Sequence, residues 1–150
     1  MLKESIEADI KKAMLAGDKE LVSTLRTIKS VILDAEVATG ARDTGLKDED
    51  IVVLLIKESK KRTEASKIYS DAGDKERAQK ETVETEIISK YLPEMIGEEE
   101  ITQVAKEVIA SMGDVSLQQM GQIIGQVKSK TGALADGSLI AKIVKDLVSK

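Results

Sequence analysis

The chain has 150 residues, a formal net charge of -4 and one third charged side chains, and it contains no Cys, His, Trp or Phe. That inventory excludes Ser-His-Asp and Cys-His nucleophile systems, Cys/His zinc sites, His-ligated haem, dithiol redox chemistry and disulfides. Carboxylates, Lys, Arg, Ser, Thr and the two tyrosines, Tyr69 and Tyr91, remain for chemistry, and so few aromatics leave little surface on which exposed bases could stack.

At this length roughly two thirds of the unfolded surface is buried on folding, enough for one ordinary domain or two small ones. The N-terminal MLKESIEADIKK contains no run resembling a signal h-region, and the longest apolar stretch, residues 51–56, is far short of a membrane span. A cytoplasmic location without a membrane partner is expected. Leu2, Ile6, Ile10 and Met14 recur every four residues, and Leu21, Val22, Leu25, Ile28, Ile32 and Ala35 follow the 3.6 period behind Asp18, an N-cap candidate. Two amphipathic helices follow from this pattern. Residues 39–47, with Gly40 and Gly45 among polar neighbours, read as a loop, after which Asp48 can cap a long helix to about Ala72. Gly73 ends that helix, and a fourth, from about Asp74 to Tyr91, folds back as an antiparallel hairpin.

Pro93 is the only proline and cannot continue a helix, which places the domain boundary there: an N-terminal helical domain over 1–93 and a smaller one over 94–150. Beyond it, Ile101, Val104, Ala105, Val108, Ile109 and Met112 form one apolar stripe ended by Gly113. Ser116 caps a second helix carrying Leu117, Met120, Ile124 and Val127, and a third runs from about Gly137 through Leu139, Ile140, Ile143, Val144 and Leu147. Three short helices with one apolar stripe each can bury them only against one another. The fold class is therefore all-α, a helical domain with a long hairpin followed by a three-helix bundle.

Several features could carry function. Lys57, Lys60, Lys61 and Lys67 on the long helix could bind phosphates, although Glu58 and Glu64 among them favour a plain solvated face. Arg62 lies seven residues after Leu55 and seven before Tyr69, on the line of the apolar stripe, where an unpaired charge is costly. A hairpin turning at Ala72-Gly73 sets Arg62 opposite Val83, with Glu81 and Glu84 within a turn, so a structural ion pair is expected. Glu98, Glu99 and Glu100 suit the positive end of a helix better than a metal, and no metal is assigned. Gly121 and Gly125 remove side chains from one helix face, which reads as close packing of a neighbouring backbone. The run Lys128, Ser129, Lys130, Thr131 meets Gly132 and then Asp136-Gly137 at the start of the last helix, where backbone N–H groups can receive a phosphate. Residues 113–150 carry five Lys against three Asp, a local basic excess in an acidic protein.

Leu25-Arg26, Asp48-Glu49, Lys60-Lys61-Arg62, Glu64, Tyr69, Ala72-Gly73, Glu81, Glu84, Tyr91-Leu92-Pro93, Met120-Gly121 and Ala135-Asp136-Gly137 fall at the spacing of the YqeY family, which the chain resembles over nearly its whole length. The resemblance implies an all-helical protein with a larger N-terminal domain and a small C-terminal bundle. Residues 95–150 are also similar to the tail domain of the B subunit of the tRNA-dependent amidotransferase, through Gly125-Gln126-Val127, Thr131 and Ala135-Asp136. In that enzyme the tail contacts tRNA away from the active sites, so the resemblance implies tRNA binding without catalysis or a cofactor. A carbon–nitrogen ligase role with glutamine as amido donor would rest on the shared tail alone. The expected RNA-binding residues are Lys128, Lys130, Thr131, Gly132, Asp136, Gly137 and Lys142. Ala133 and Leu134 stand where the family pattern has Gly and a basic residue, and Gln122 stands for a frequent Lys, so two phosphate contacts fewer are expected. A protein of the aminoacylation or transamidation machinery is a further expected partner. The rival reading is an adaptor that binds a protein through the long hairpin and touches no RNA.

Overall fold

The structure, a computed structural model, describes residues 1–149. They form seven α-helices, a single 3-10 turn and no strand. The helices are α1 (Leu2–Ala16), α2 (Lys19–Ala38), α3 (Asp48–Asp71), α4 (Lys75–Ser89), α5 (Glu98–Met112), α6 (Met120–Thr131) and α7 (Gly137–Val148). The all-α class holds. Contacts divide the chain into Met1–Leu92 and Pro93–Lys150, one residue ahead of the boundary drawn from the sequence. Helix α4 stops at Ser89, before the proline is reached.

Three aspartates start helices as expected of short polar caps: Asp18 accepts from Leu21 N at 3.1 Å, Asp74 from Arg77 N at 3.1 Å and Asp136 from Ser138 N at 3.0 Å. Asp48 behaves differently. Lys47 occupies the N-cap of α3, and the Asp48 carboxylate instead accepts from Leu2 N at 3.0 Å, tying the start of α1 to the start of α3. The tight α1–α2 turn uses Gly17 at φ 72°, a conformation that costs a residue with a Cβ.

In the first unit, Ile6, Leu25, Ile28, Ile32, Ile51, Leu55, Ile87 and Ile88 make the core. Met14 departs from the expected stripe: it is 54% exposed, and Ala13 is buried in its place. A strict four-residue spacing advances about 40° beyond each full turn, so by its third step the row has left the core face. The reverse occurs on α2, where Glu36 continues the Leu25–Ile28–Ile32 line and is fully buried. Core contacts reach only the N-terminal half of α3 and the C-terminal half of α4. Farther out, the hairpin is held by Arg62 on Glu84, by Ser66 Oγ donating to the Ala78 carbonyl at 2.9 Å, and by Arg77 over the Tyr69 ring at 5.7 Å.

In the second unit, Ile101, Ala105, Val108, Ile123, Val127, Ala135, Ile140, Ile143 and Val144 form an aliphatic core. Two details correct the sequence reading. The helix behind Ser116 opens as a 3-10 turn, Leu117–Gln119, with Ser116 N donating to Gln119 Oε1 at 2.9 Å, and Leu117 is 57% exposed. Helix α6 then buries Ile123 and Val127, while Ile124 is half-buried.

Candidate nucleic-acid interface

The last turn of α6 carries Lys128 and Lys130, and Gly132 at φ 75° lets the chain reverse toward α7. Asp136 caps α7, and a side chain added at Gly137 would meet Lys128 Cε and Nζ at 3.5 Å. The structure thus brings Lys128, Asp136 and Gly137 together at the positive end of α7. A cation at a helix N-terminus is electrostatically out of place unless a carboxylate or an incoming anion balances it. Asp136 supplies one negative charge there.

The remaining expected residues are placed less uniformly. Lys130 is exposed two positions after Lys128, which turns it about 200° around the helix onto another face. Thr131 is half-buried and its hydroxyl donates to the Val127 carbonyl at 2.9 Å, so its proton is already engaged. Lys142 is exposed on α7. Lys150, one of the five lysines counted over 113–150, lies outside the described residues.

The packing role expected of Gly121 and Gly125 is overturned. Both are exposed, and a Cβ at either would meet nothing within 4 Å, so no neighbouring backbone uses the space. Gly121, Gly125 and Lys128 follow one another at i, i+4 and i+7, which puts them on a single face. An open strip of helix backbone therefore leads to the Lys128 ammonium. Glu98, Glu99 and Glu100 are exposed in the first turn of α5, at the positive end of that helix.

On α3, Lys57, Lys60, Lys61 and Lys67 are all exposed, within about 120° of arc. Lys61 is drawn onto Glu58 Oε1 at 3.1 Å. Arg62 is only 9% exposed; its Nη1 donates to Glu58 Oε2 at 2.7 Å and its Nε to Glu84 Oε2 at 3.2 Å. Glu84, and not Glu81, takes the guanidinium across the hairpin. The second partner, Glu58, escaped the sequence reading although its i–4 spacing from Arg62 is a standard pairing distance on a helix. Burial pushes the Glu58 carboxyl up, but the hydrogen bonds from Arg62 and Lys61 outweigh it and hold the group below the ordinary carboxylate range.

Two further polar contacts were not read from the sequence. Lys3 Nζ donates to both Glu36 oxygens at 3.0 and 2.9 Å, and Leu46 N donates to Glu36 Oε1 at 3.3 Å. The Lys3 hydrogen bond is the main reason that Glu36 stays ionised below its usual range despite burial. Tyr91 Oη donates to Asp9 Oδ2 at 2.5 Å, and burial together with that carboxylate raises the phenol above its ordinary value.

The model of the Yqey-like protein family matches residues 3–148. Two curated relatives are both named Altered inheritance of mitochondria protein 41, mitochondrial. The one from Pyrenophora tritici-repentis (strain Pt-1C-BFP) is 23% identical over 146 residues, spanning 95% of this chain and 78% of the relative. That from Clavispora lusitaniae (strain ATCC 42720) is 28% identical over 158 residues, spanning 99% and 91%. Their names overturn the cytoplasmic expectation, since both relatives are mitochondrial proteins. The feature behind that expectation, the lack of an apolar h-region in residues 1–12, bears on secretion and does not separate one internal compartment from another.

Proposed function

Since the chain belongs to the Yqey-like family, we propose that it is a non-catalytic accessory protein whose C-terminal bundle binds tRNA through backbone charge and shape. The observation that carries this reading is the position of Lys128, packed against Gly137 at the N-terminus of α7 and reached along the open Gly121–Gly125 face. A phosphate there would meet an ammonium and the N–H groups of a first helical turn, and a side-chain-free strip would let a sugar-phosphate backbone lie close to α6. Lys142 and Lys130 add exposed charge nearby in sequence. Ala133 and Leu134 supply none, which fits a weak, salt-sensitive site.

A role beside a glutamine-using carbon–nitrogen ligase would follow if the bound tRNA were one awaiting transamidation. Lys57, Lys60 and Lys67 of α3 serve in this proposal as a secondary patch of phosphate contacts, Lys61 being drawn onto Glu58. The test is direct titration of the whole chain with labelled tRNA at about 50 mM salt, where phosphate contacts are strong. Saturable binding that weakens steeply as salt rises is expected. Absence of binding under that condition rejects the RNA function and puts the protein-adaptor reading in its place.

A further inference from the structure

We infer that the outer face of α2 is a self-complementary surface, on which a second copy of this chain docks antiparallel about a two-fold axis at Ser30. The inference is independent of RNA binding. Arg26, Ser30, Leu33 and Val37 recur at i, i+4, i+7 and i+11, one exposed stripe on the side of α2 away from Leu25, Ile28 and Ile32, with the buried Val22 one turn ahead of Arg26. Its ends differ. Toward Lys19 lies an open groove of about 650 Å³ between the end of α1 and α2, walled by Met14, Val22, Ser23 and Arg26. Toward Thr39 the stripe carries Leu33 and Val37, apolar yet 40% and 63% exposed. Groove and apolar knobs thus lie on opposite sides of Ser30, on the same face.

Charge decides the occupant. Arg62 and Arg77 each hold carboxylates, but among the described residues the Arg26 guanidinium rests on the Met14 thioether, Nη2 to Sδ 3.7 Å, and on no carboxylate. Asp34, exposed on the same side of α2, has no basic side chain within 4 Å among the described residues. Arg26 and Asp34 stand four residues before and four after Ser30. In an antiparallel two-fold pairing centred on Ser30, Arg26 of each copy meets Asp34 of the other, and this happens twice. The same register sets Val37 over Ser23, at the mouth of the groove, and Leu33 over Thr27. A surface that complements itself under a two-fold closes as a dimer and cannot propagate as a fibre. One helix pair of this length gives an interface at the small end of specific ones, so a dissociation constant of about 10–100 µM is expected.

Sedimentation equilibrium of the whole chain from about 5 to 500 µM tests this, since a dimer must grow by mass action. Arg26→Asp should weaken dimerisation more than tenfold by opposing like charges twice, and Asp34→Arg should do the same. The exchanged variant, Arg26→Asp with Asp34→Arg, should return to within about threefold of the parent. All four positions of the two pairs are exposed, and unchanged circular dichroism checks that folding is spared. As the chain has no Cys, Ser30→Cys introduces a single thiol at the axis, which should form a disulfide-linked dimer faster than Ser129→Cys. A chain that stays monomeric throughout, a dimer indifferent to Arg26→Asp, failure of the exchange to restore association, or equal cross-linking at the two cysteines overturns the inference.

Discussion

The C-terminal bundle and the outer half of the α3–α4 hairpin solve the same problem, joining helices, by opposite means. The bundle is held by nine buried aliphatic side chains and keeps Lys106, Lys128, Lys130, Lys142 and Lys145 on the outside. The hairpin beyond Leu55 is held largely by its own polar groups: Arg62 between Glu58 and Glu84, Ser66 on the Ala78 carbonyl, Arg77 over Tyr69. Charge used for structure is withdrawn from recognition. This explains why the two basic segments differ in what they offer: Lys61 is spent on Glu58, whereas Lys128 faces a helix N-terminus.

The contrast can be broken first at its strongest points. Ile140→Ala should destabilise the bundle by about 2–5 kcal/mol, because a fully buried side chain leaves a cavity in an aliphatic core, and urea unfolding measures it. On the hairpin, Arg62→Ala should cost about 3 kcal/mol by stranding Glu58 and Glu84, while Arg62→Met, read in the same unfolding experiment, should cost clearly less if Glu58 is changed to Gln with it. Equal losses for the two Arg62 variants would contradict this, since neither the retained stem nor the relief of the Glu58 charge would then count.

A smaller effect is expected from acid. Glu36 is held below its ordinary value in the folded state, so it contributes stability above about pH 4.3, the unfolded value, and that contribution is lost as pH falls through the folded value. Thermal unfolding of Glu36→Gln should therefore be less sensitive to pH in that acid window than the parent. Lys3→Met should flatten the same arm, since Lys3 is the main cause of the shift.

Helix existence was legible in the sequence because short-range signals fixed it: Asp18 caps, Asp74 and Asp136 stand at helix starts, and Gly73 turns the chain, within a few residues of where they act. What escaped depended on distant partners or on direction. Glu36 sits on an apolar stripe, and only the fold shows that Lys3, 33 residues earlier, neutralises it. Asp48 had the composition of a cap but serves the start of α1. The candidate site was partly legible. The sequence indicated the α6–α7 approach, but not that Lys128 alone reaches Gly137 while Lys130 turns away, nor that Gly121 and Gly125 are left uncovered. Glycine spacing identifies a bare face; it does not say whether a neighbour fills it.

The most direct test of the RNA proposal is the salt dependence of tRNA binding, compared among the parent, Lys128→Ala, Lys130→Ala and an exposed control, Lys11→Ala. Lys3 is unsuitable as a control because it neutralises buried Glu36. Losing one phosphate contact should make the log–log slope shallower by about 0.7–0.9 for Lys128→Ala, with a smaller change for Lys130→Ala and least for Lys11→Ala. Leu134→Lys should steepen the slope by restoring a basic side chain beside the approach to α7. Identical slopes for all variants, or a larger change at Lys11 than at Lys128, would contradict a phosphate site at the start of α7.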